Sequence, residues 1–266
     1  MKVIILGSAT STGVPIIGCS CPVCTSASPR NKRTRCSLFV ETGGKSILID
    51  TSTDLRCQAL RQGITKLDAV LYTHSHADHT HGIDELRVYN FVKKTSIRCY
   101  GNAQTIDNIK NNFKYIFDGV ESAGGKPNLV LTVVSGRFDF DGIAITPVDV
   151  YHADWTILGY RIGGMAYLTD CSGIPEWSWD KLGGLDVLII SALRYKPHPA
   201  HLNVEQAVEV ARKLKPRLTV LTHMGHELDY DTLSKELPGF IVPAYDGMEL
   251  ELPDPNLITS SGNGKL

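Results

Sequence analysis

Several things are scarce in this chain of 266 residues. No apolar run approaches the ~20 residues that a membrane-spanning helix needs. The opening Met1-Lys2-Val3-Ile4-Ile5-Leu6-Gly7 is too short for a secretory leader and reads as a first strand instead. Charge of one sign is also missing: 27 Lys and Arg meet 28 Asp and Glu, a formal net charge of −1, so nothing draws the whole molecule toward nucleic acid or anionic membrane. The seven cysteines are an odd number and are not spread as a disulfide framework. No linker or low-complexity stretch splits the chain. These absences predict a cytoplasmic protein of one domain spanning 1–266, ending in a polar, mobile tail at 253–266.

What is present is ordinary in bulk, with 42% hydrophobic and 21% charged residues. A chain of this length buries roughly three quarters of its unfolded surface, so a large core is available. Strand-like runs fall at Lys2–Leu6, Leu38–Thr42, Lys45–Asp50, Ala69–Thr73, Ile97–Tyr100, Asn128–Val134, Ile143–Tyr151, Met165–Thr169, Asp186–Ile190, Arg217–Thr222 and Met248–Leu252. Helical patterns fall at Leu55–Gln62, Asn102–Phe117 and Asn203–Lys215. The last is the clearest: Asn203 can cap it, Val204, Ala207, Val208, Ala211 and Leu214 line one side, and Pro216 stops it. The alternation predicts an α/β sandwich. Leu67–His76 echoes Arg217–His226, and Ile47–Ser52 echoes Tyr167–Ser172, as if two related halves met at one place.

The most informative run is His74-Ser75-His76-Ala77-Asp78-His79, directly after a short apolar strand. Imidazole and carboxylate together suit zinc, manganese or iron. A two-metal site needs more ligands than one loop supplies. His152, Asp170 and His223 each close a strand-like run, and in open α/β sheets the carboxyl ends of strands are where sites assemble. This seven-residue set resembles that of the metallo-β-lactamase superfamily over nearly the whole chain. Asp50 matches an early aspartate of that superfamily that is structural rather than a ligand. The resemblance implies an αββα fold, with two sheets face to face and helices outside.

A second cluster is Cys19-x-Cys21-x-x-Cys24, within a Cys-rich loop at 18–36. Three thiolates this close in a reducing compartment point to zinc. His226, three residues past His223, is the preferred fourth ligand, with Cys36 as competitor. The isolated Cys36, Cys57, Cys99 and Cys171 read as small buried hydrophobes. Arg30, Lys32, Arg33 and Arg35 form a basic run whose usual reading is a solvated loop, with phosphate steering as the alternative.

The cysteine insert with a late His-x-x-His, together with His81–Asn90 and Leu158–Gly163, resembles PhnP-type phosphodiesterases, the phosphoribosyl cyclic phosphate phosphodiesterases among them. That resemblance implies two catalytic divalent ions, zinc or manganese, and one structural zinc. His74, His76 and His152 would hold one catalytic ion; Asp78, His79 and His223 would hold the other, with Asp170 between them. Their bridging hydroxide would attack the phosphorus of a phosphodiester or cyclic phosphate. His201 matches a family site histidine and is the candidate proton donor to the leaving group, with Asp78 indispensable as a ligand. His81 and His198 are expected to be non-ligands. The implied partner is a small phosphodiester or cyclic phosphate, with no membrane, no nucleic acid and a homodimer left open. Two rivals share the fold: a PqqB-type accessory protein of quinone-cofactor synthesis, whose His-x-His-x-Asp-His run is often degenerate, and a mononuclear iron dioxygenase. Diiron oxidoreductases of the superfamily usually carry Glu where His76 stands.

Overall fold

A computed structural model describes residues 1–120 and 125–254. Two seven-stranded sheets form the frame. The first runs, in spatial order, β14 (Met248–Glu251), β1 (Lys2–Gly7), β2 (Ser37–Thr42), β3 (Lys45–Ile49), β4 (Ala69–Leu71), β5 (Ile97–Gly101) and β6 (Leu129–Val133). The second runs β13 (Ile241–Pro243), β12 (Leu218–Thr222), β11 (Val187–Ser191), β10 (Met165–Leu168), β9 (Trp155–Ile162), β8 (Ile143–His152) and β7 (Phe138–Phe140). The strands β3 to β6 are parallel, as are β10 to β13, and the remaining pairs are antiparallel.

The period of two in the strands decides which layer each side chain joins. In the first sheet Val3, Ile5, Leu38, Val40, Ile47, Ile49 and Leu71 face the second sheet and share its core. Their neighbours Ile4, Leu6, Phe39, Leu48 and Val70 face the other way and pack with Leu55, Leu86 and Tyr89 of the covering helices. Each fully buried aliphatic side chain contributes about 1.5–3 kcal/mol. Sheet on sheet with helices outside is the αββα arrangement.

Some elements differ from the sequence expectation. Asn102–Phe117 is two helices, Ala103–Asn112 and Lys114–Phe117, because Phe113 leaves the helical region at φ −118°, ψ 45°. Ile109 and Ile116 still reach the same apolar cluster. The strand β9 was not expected, since Gly159 interrupts its pattern. A Cβ at Gly159 would lie 2.4 Å from Leu168 Cδ2 and 2.7 Å from Tyr167 O, so glycine is what lets β9 approach β10. Strands β7 and β13 are three residues each, too short for a pattern to announce them. Cys57 is exposed, unlike Cys36, Cys99 and Cys171, because it lies on the outward side of the helix Leu55–Gln62.

The first residues of the expected tail are held: Asp254 accepts from Thr42 Oγ1 and from the Gly43 backbone N–H, each at 3.3 Å. The rest, 255–266, lies outside the described residues. No helix among the described residues is long and apolar enough to cross a membrane.

Candidate metal centre

The carboxyl ends of five strands converge on one spot. Asp50 follows β3, the His74–His79 run follows β4, His152 ends β8, Asp170 lies two residues past β10, and His223 follows β12. Asp50, Asp170 and His223 have φ of 65°, 50° and 54°, a left-handed backbone that non-glycine residues adopt rarely. Three such residues at three strand ends of one site are stored strain, with the surrounding hydrogen bonds holding the geometry.

The ligand atoms of three groups each lie within 4.8 Å of one another: His74, His76 and His152; His74, His79 and Asp170; and Asp78, His79 and His223. A fourth group, His152, Asp170 and His201, shares members with them. Asp170 lies between the two expected trios, with Oδ2 3.1 Å from His79 Nε2 and Oδ1 3.0 Å from His223 Nε2. All seven residues named from the sequence therefore come together.

The imidazoles are oriented from behind. Asp50 Oδ2 accepts the His79 Nδ1 proton at 2.7 Å, and Thr73 steadies Asp50 through its backbone N–H and its hydroxyl, both at 2.8 Å. The Ala200 carbonyl accepts from His152 Nδ1 at 2.9 Å. Both bonds place Nε2 toward the centre, the nitrogen a metal would take.

The centre fits cations. His79 Nε2 and both ring nitrogens of His223 are buried without a hydrogen-bond partner, although carboxylate oxygens lie 3.0–3.2 Å from two of them. Close approach without hydrogen-bond alignment is the pattern of ligands aimed at a shared ion. Burial works against a charged His79, yet Asp170, Asp78 and Asp50 outweigh it and raise its pKa well above the usual histidine value. Burial also opposes ionisation of Asp78 and Asp170, and the imidazoles of His79 and His223 overcome it, holding both carboxyls well below their usual range. The centre thus demands positive charge. His74 is pushed well down, by burial first and then by its histidine neighbours, so it stays a neutral ligand type.

His201 stacks on His223, with ring centroids 4.9 Å apart, and its Nδ1 lies 3.9 Å from Asp170 Oδ1. Burial, followed by the charge of His223, lowers its pKa to about 3. His198 stands beside His201 and His81 packs on Phe113; neither belongs to a metal-holding group among the described residues.

The cysteine loop closes a second group. His226 Nδ1 lies 3.3, 3.4 and 3.6 Å from the sulfurs of Cys19, Cys21 and Cys24. Zinc at its usual bond lengths to sulfur and nitrogen gives tetrahedral S···N edges of about 3.6 Å. The backbone N–H of Cys24 donates to Cys21 Sγ at 3.4 Å and lowers the Cys21 pKa to about 6, toward the thiolate a metal binds. Cys36 is elsewhere, against Thr222.

The basic run is solvated in part: Arg30 and Lys32 are exposed, Arg35 is half-buried and Arg33 is buried. Arg33 is buried and donates to the carbonyls of Gly225 and Leu228 at 3.0 and 2.9 Å, tying the cysteine loop to the segment that carries His226. Arg35 pairs with Asp54, Lys32 donates to Cys24 O, and Arg30 covers the rings of Tyr230 and Tyr245. Alternation of charge in a loop cannot reveal that partners wait 200 residues away.

A family model described as the β-lactamase superfamily domain matches residues 45–224. The chain belongs to the β-lactamase superfamily. Within this superfamily of the metallo-β-lactamase fold, it is of the PhnP type: a crystal structure of a PhnP-family diphosphatase is 42% identical, with TM-score 0.89, covering 95% of this chain and 98% of that one. A Porphyromonas gingivalis protein named octanoyltransferase is 40% identical over 254 residues, 94% of this chain. The chain spans about half of that relative's length, 51%. The coenzyme PQQ synthesis protein B of Methylobacterium nodulans is 39% identical over 226 residues, 71% of this chain and 72% of that protein. The histidine–aspartate clusters suit divalent metal ions.

Proposed function

We propose that the chain is a dinuclear metal-dependent phosphodiesterase acting on small phosphodiesters or cyclic phosphates. The observation that carries this reading is Asp170, placed between two ligand trios with one oxygen toward His79 and the other toward His223. In it, His74, His76 and His152 hold one ion and Asp78, His79 and His223 the other, while Cys19, Cys21, Cys24 and His226 hold a structural zinc. Bound there, two divalent ions supply charge neutralisation at the phosphate and a water acidified toward neutrality.

The chain's own residues do the rest. Asp50 and Ala200 keep His79 and His152 in the ligating tautomer, so no reorganisation is required when substrate enters. His201, partly buried against His223, faces the same centre. It is neutral before substrate binds, and the negative charge of a diester beside it raises its pKa. Its neutral ring N–H then donates a hydrogen bond to the departing alkoxide.

A second reading is hydrolysis of a diphosphate bridge, favoured by the 42% identity to a PhnP-family diphosphatase. It uses the same centre with a phosphate as leaving group. Acyl transfer is not favoured through Cys36 or Cys171, which are fully buried and whose thiols burial pushes up to about 12. Elemental analysis alongside turnover of bis-(p-nitrophenyl) phosphate and of a diphosphate diester tests the proposal. Three metal equivalents with diester turnover support it; failure on every ester with metals loaded favours an accessory role of the PqqB kind.

A further inference from the structure

Cys21 and Cys24 are placed for a bond to each other as well as to a metal. Cys21 caps a one-turn helix, Pro22–Thr25, and Cys24 lies within that turn. The Cys24 backbone N–H donates to Cys21 Sγ at 3.4 Å. Residues three apart in one turn have the Cα separation that a disulfide spans. Their sulfurs, with that of Cys19 and with His226 Nδ1, all lie within 4.8 Å of one another. Cys24 is buried, but Cys21 is half-buried and its neighbours Ser20 and Pro22 are exposed. An oxidant in solution thus meets one thiolate with a second directly behind it. No other cysteine among the described residues offers this: Cys36, Cys99 and Cys171 are buried, and the exposed Cys57 belongs to no cluster.

The same loop supports the metal centre. His226 follows the ligand His223 by three residues. Between them, Met224 N–H donates to Ser8 O at 2.9 Å, and buried Arg33 binds the carbonyls of Gly225 and Leu228. His223 has a left-handed backbone, φ 54°, which persists only while its surroundings hold it. Resting on the zinc and the metal centre assigned above, we propose that Cys21 and Cys24 are a hydroperoxide-sensitive dithiol, whose closure to a disulfide expels the loop zinc and weakens metal binding at Asp78, His79 and His223. The Cys21 thiolate attacks hydrogen peroxide and breaks its O–O bond, giving a sulfenic acid and hydroxide. The Cys24 thiolate then displaces the sulfenic oxygen as a second hydroxide, and the Sγ–Sγ bond forms. Two electrons pass from sulfur to peroxide, two protons are taken up, and two water molecules leave. Zinc keeps only Cys19 and His226 and dissociates.

The test uses the zinc-loaded protein carrying Cys57→Ser, so that no lone exposed thiol competes for peroxide. Zinc release is read with a chromogenic chelator and the new bond by fragment mass spectrometry. Dialysis against a series of buffered zinc concentrations, with elemental analysis, reads how tightly the centre keeps its ions. Peroxide is expected to release one zinc per chain and to remove two hydrogen atoms from the Cys21–Cys24 pair. One ion of the centre is then expected to need about tenfold more free zinc, the low end of what losing the support behind a ligand costs. Dithiothreitol with added zinc restores both. Zinc retained under peroxide overturns the proposal, as does zinc lost without a Cys21–Cys24 bond. A disulfide that leaves the centre's zinc affinity unchanged also overturns it, since the loop then serves only the fold. A loop without zinc before treatment removes the zinc assignment and the proposal together. None of these readouts uses turnover, so failure of the phosphodiesterase reading shows separately.

Discussion

His79 and Asp50 are both wholly buried, and the imidazole Nδ1–H reaches the carboxylate at 2.7 Å. This bond fixes which nitrogen of His79 faces Asp78, Asp170 and His223. Asp50 touches no substrate and stands outside every ligand group among the described residues, yet it decides whether His79 can ligate.

The first prediction follows directly. Asp50→Asn keeps the shape and offers an amide N–H that turns His79 to the wrong tautomer. Metal affinity at the Asp78–His79–His223 trio should fall about 10- to 100-fold. Zinc titration of the variant checks this; unchanged affinity would mean that Asp50 serves only the fold.

The second concerns pH. In protein stripped of metal, His79 carries a pKa well above its usual value, so an incoming ion displaces a proton. Metal affinity should rise with pH through the neutral range. The sign for stability is opposite. The His79 contribution is full below about pH 6.5 and is lost as pH rises through its raised folded value. The melting temperature of metal-free protein should thus decline on the alkaline side more than that of the loaded protein. Parallel melting curves would contradict it.

The third concerns the thiolates. Cys21→Ser removes one corner of the Cys19, Cys21, Cys24 and His226 group. One zinc per chain should be lost and the melting temperature lowered, because metal binding is linked to folding. Zinc content equal to that of the parent would show the site to be wrongly assigned.

The fourth concerns His201. His201→Ala should slow alkyl and sugar diesters by about 10²–10⁴ and nitrophenyl diesters far less, with metal content unchanged. A good leaving group needs no help, so equal losses on both classes would make His201 a phosphate-positioning residue.

Much of this was legible because the ligands sit where strands end. Short apolar runs marked β1 to β6, β8, β10 to β12 and β14, and polar residues at the ends of β3, β4, β8, β10 and β12 marked site positions. The helix Val204–Leu214 was legible through the cap Asn203, its apolar side and Pro216, and the structure adds Gln206, whose side chain caps Asn203 in return. What stayed hidden depends on distant contact. Gly159 makes sense only against Leu168, and Arg33 only against Gly225 and Leu228. The burial of His201 against His223 stayed hidden for the same reason, since it cannot be read from its own loop.

The most direct test of the central claim is the turnover of bis-(p-nitrophenyl) phosphate by Asp78→Ala. Asp78 lies 3.2 Å from His79 and belongs to one trio only, so its loss should empty that half of the centre and leave the other intact. The account predicts a folded protein with one catalytic metal fewer and turnover below about 2% of the parent. A folded Asp78→Ala protein that keeps most of the parent's turnover would contradict a two-metal hydrolase.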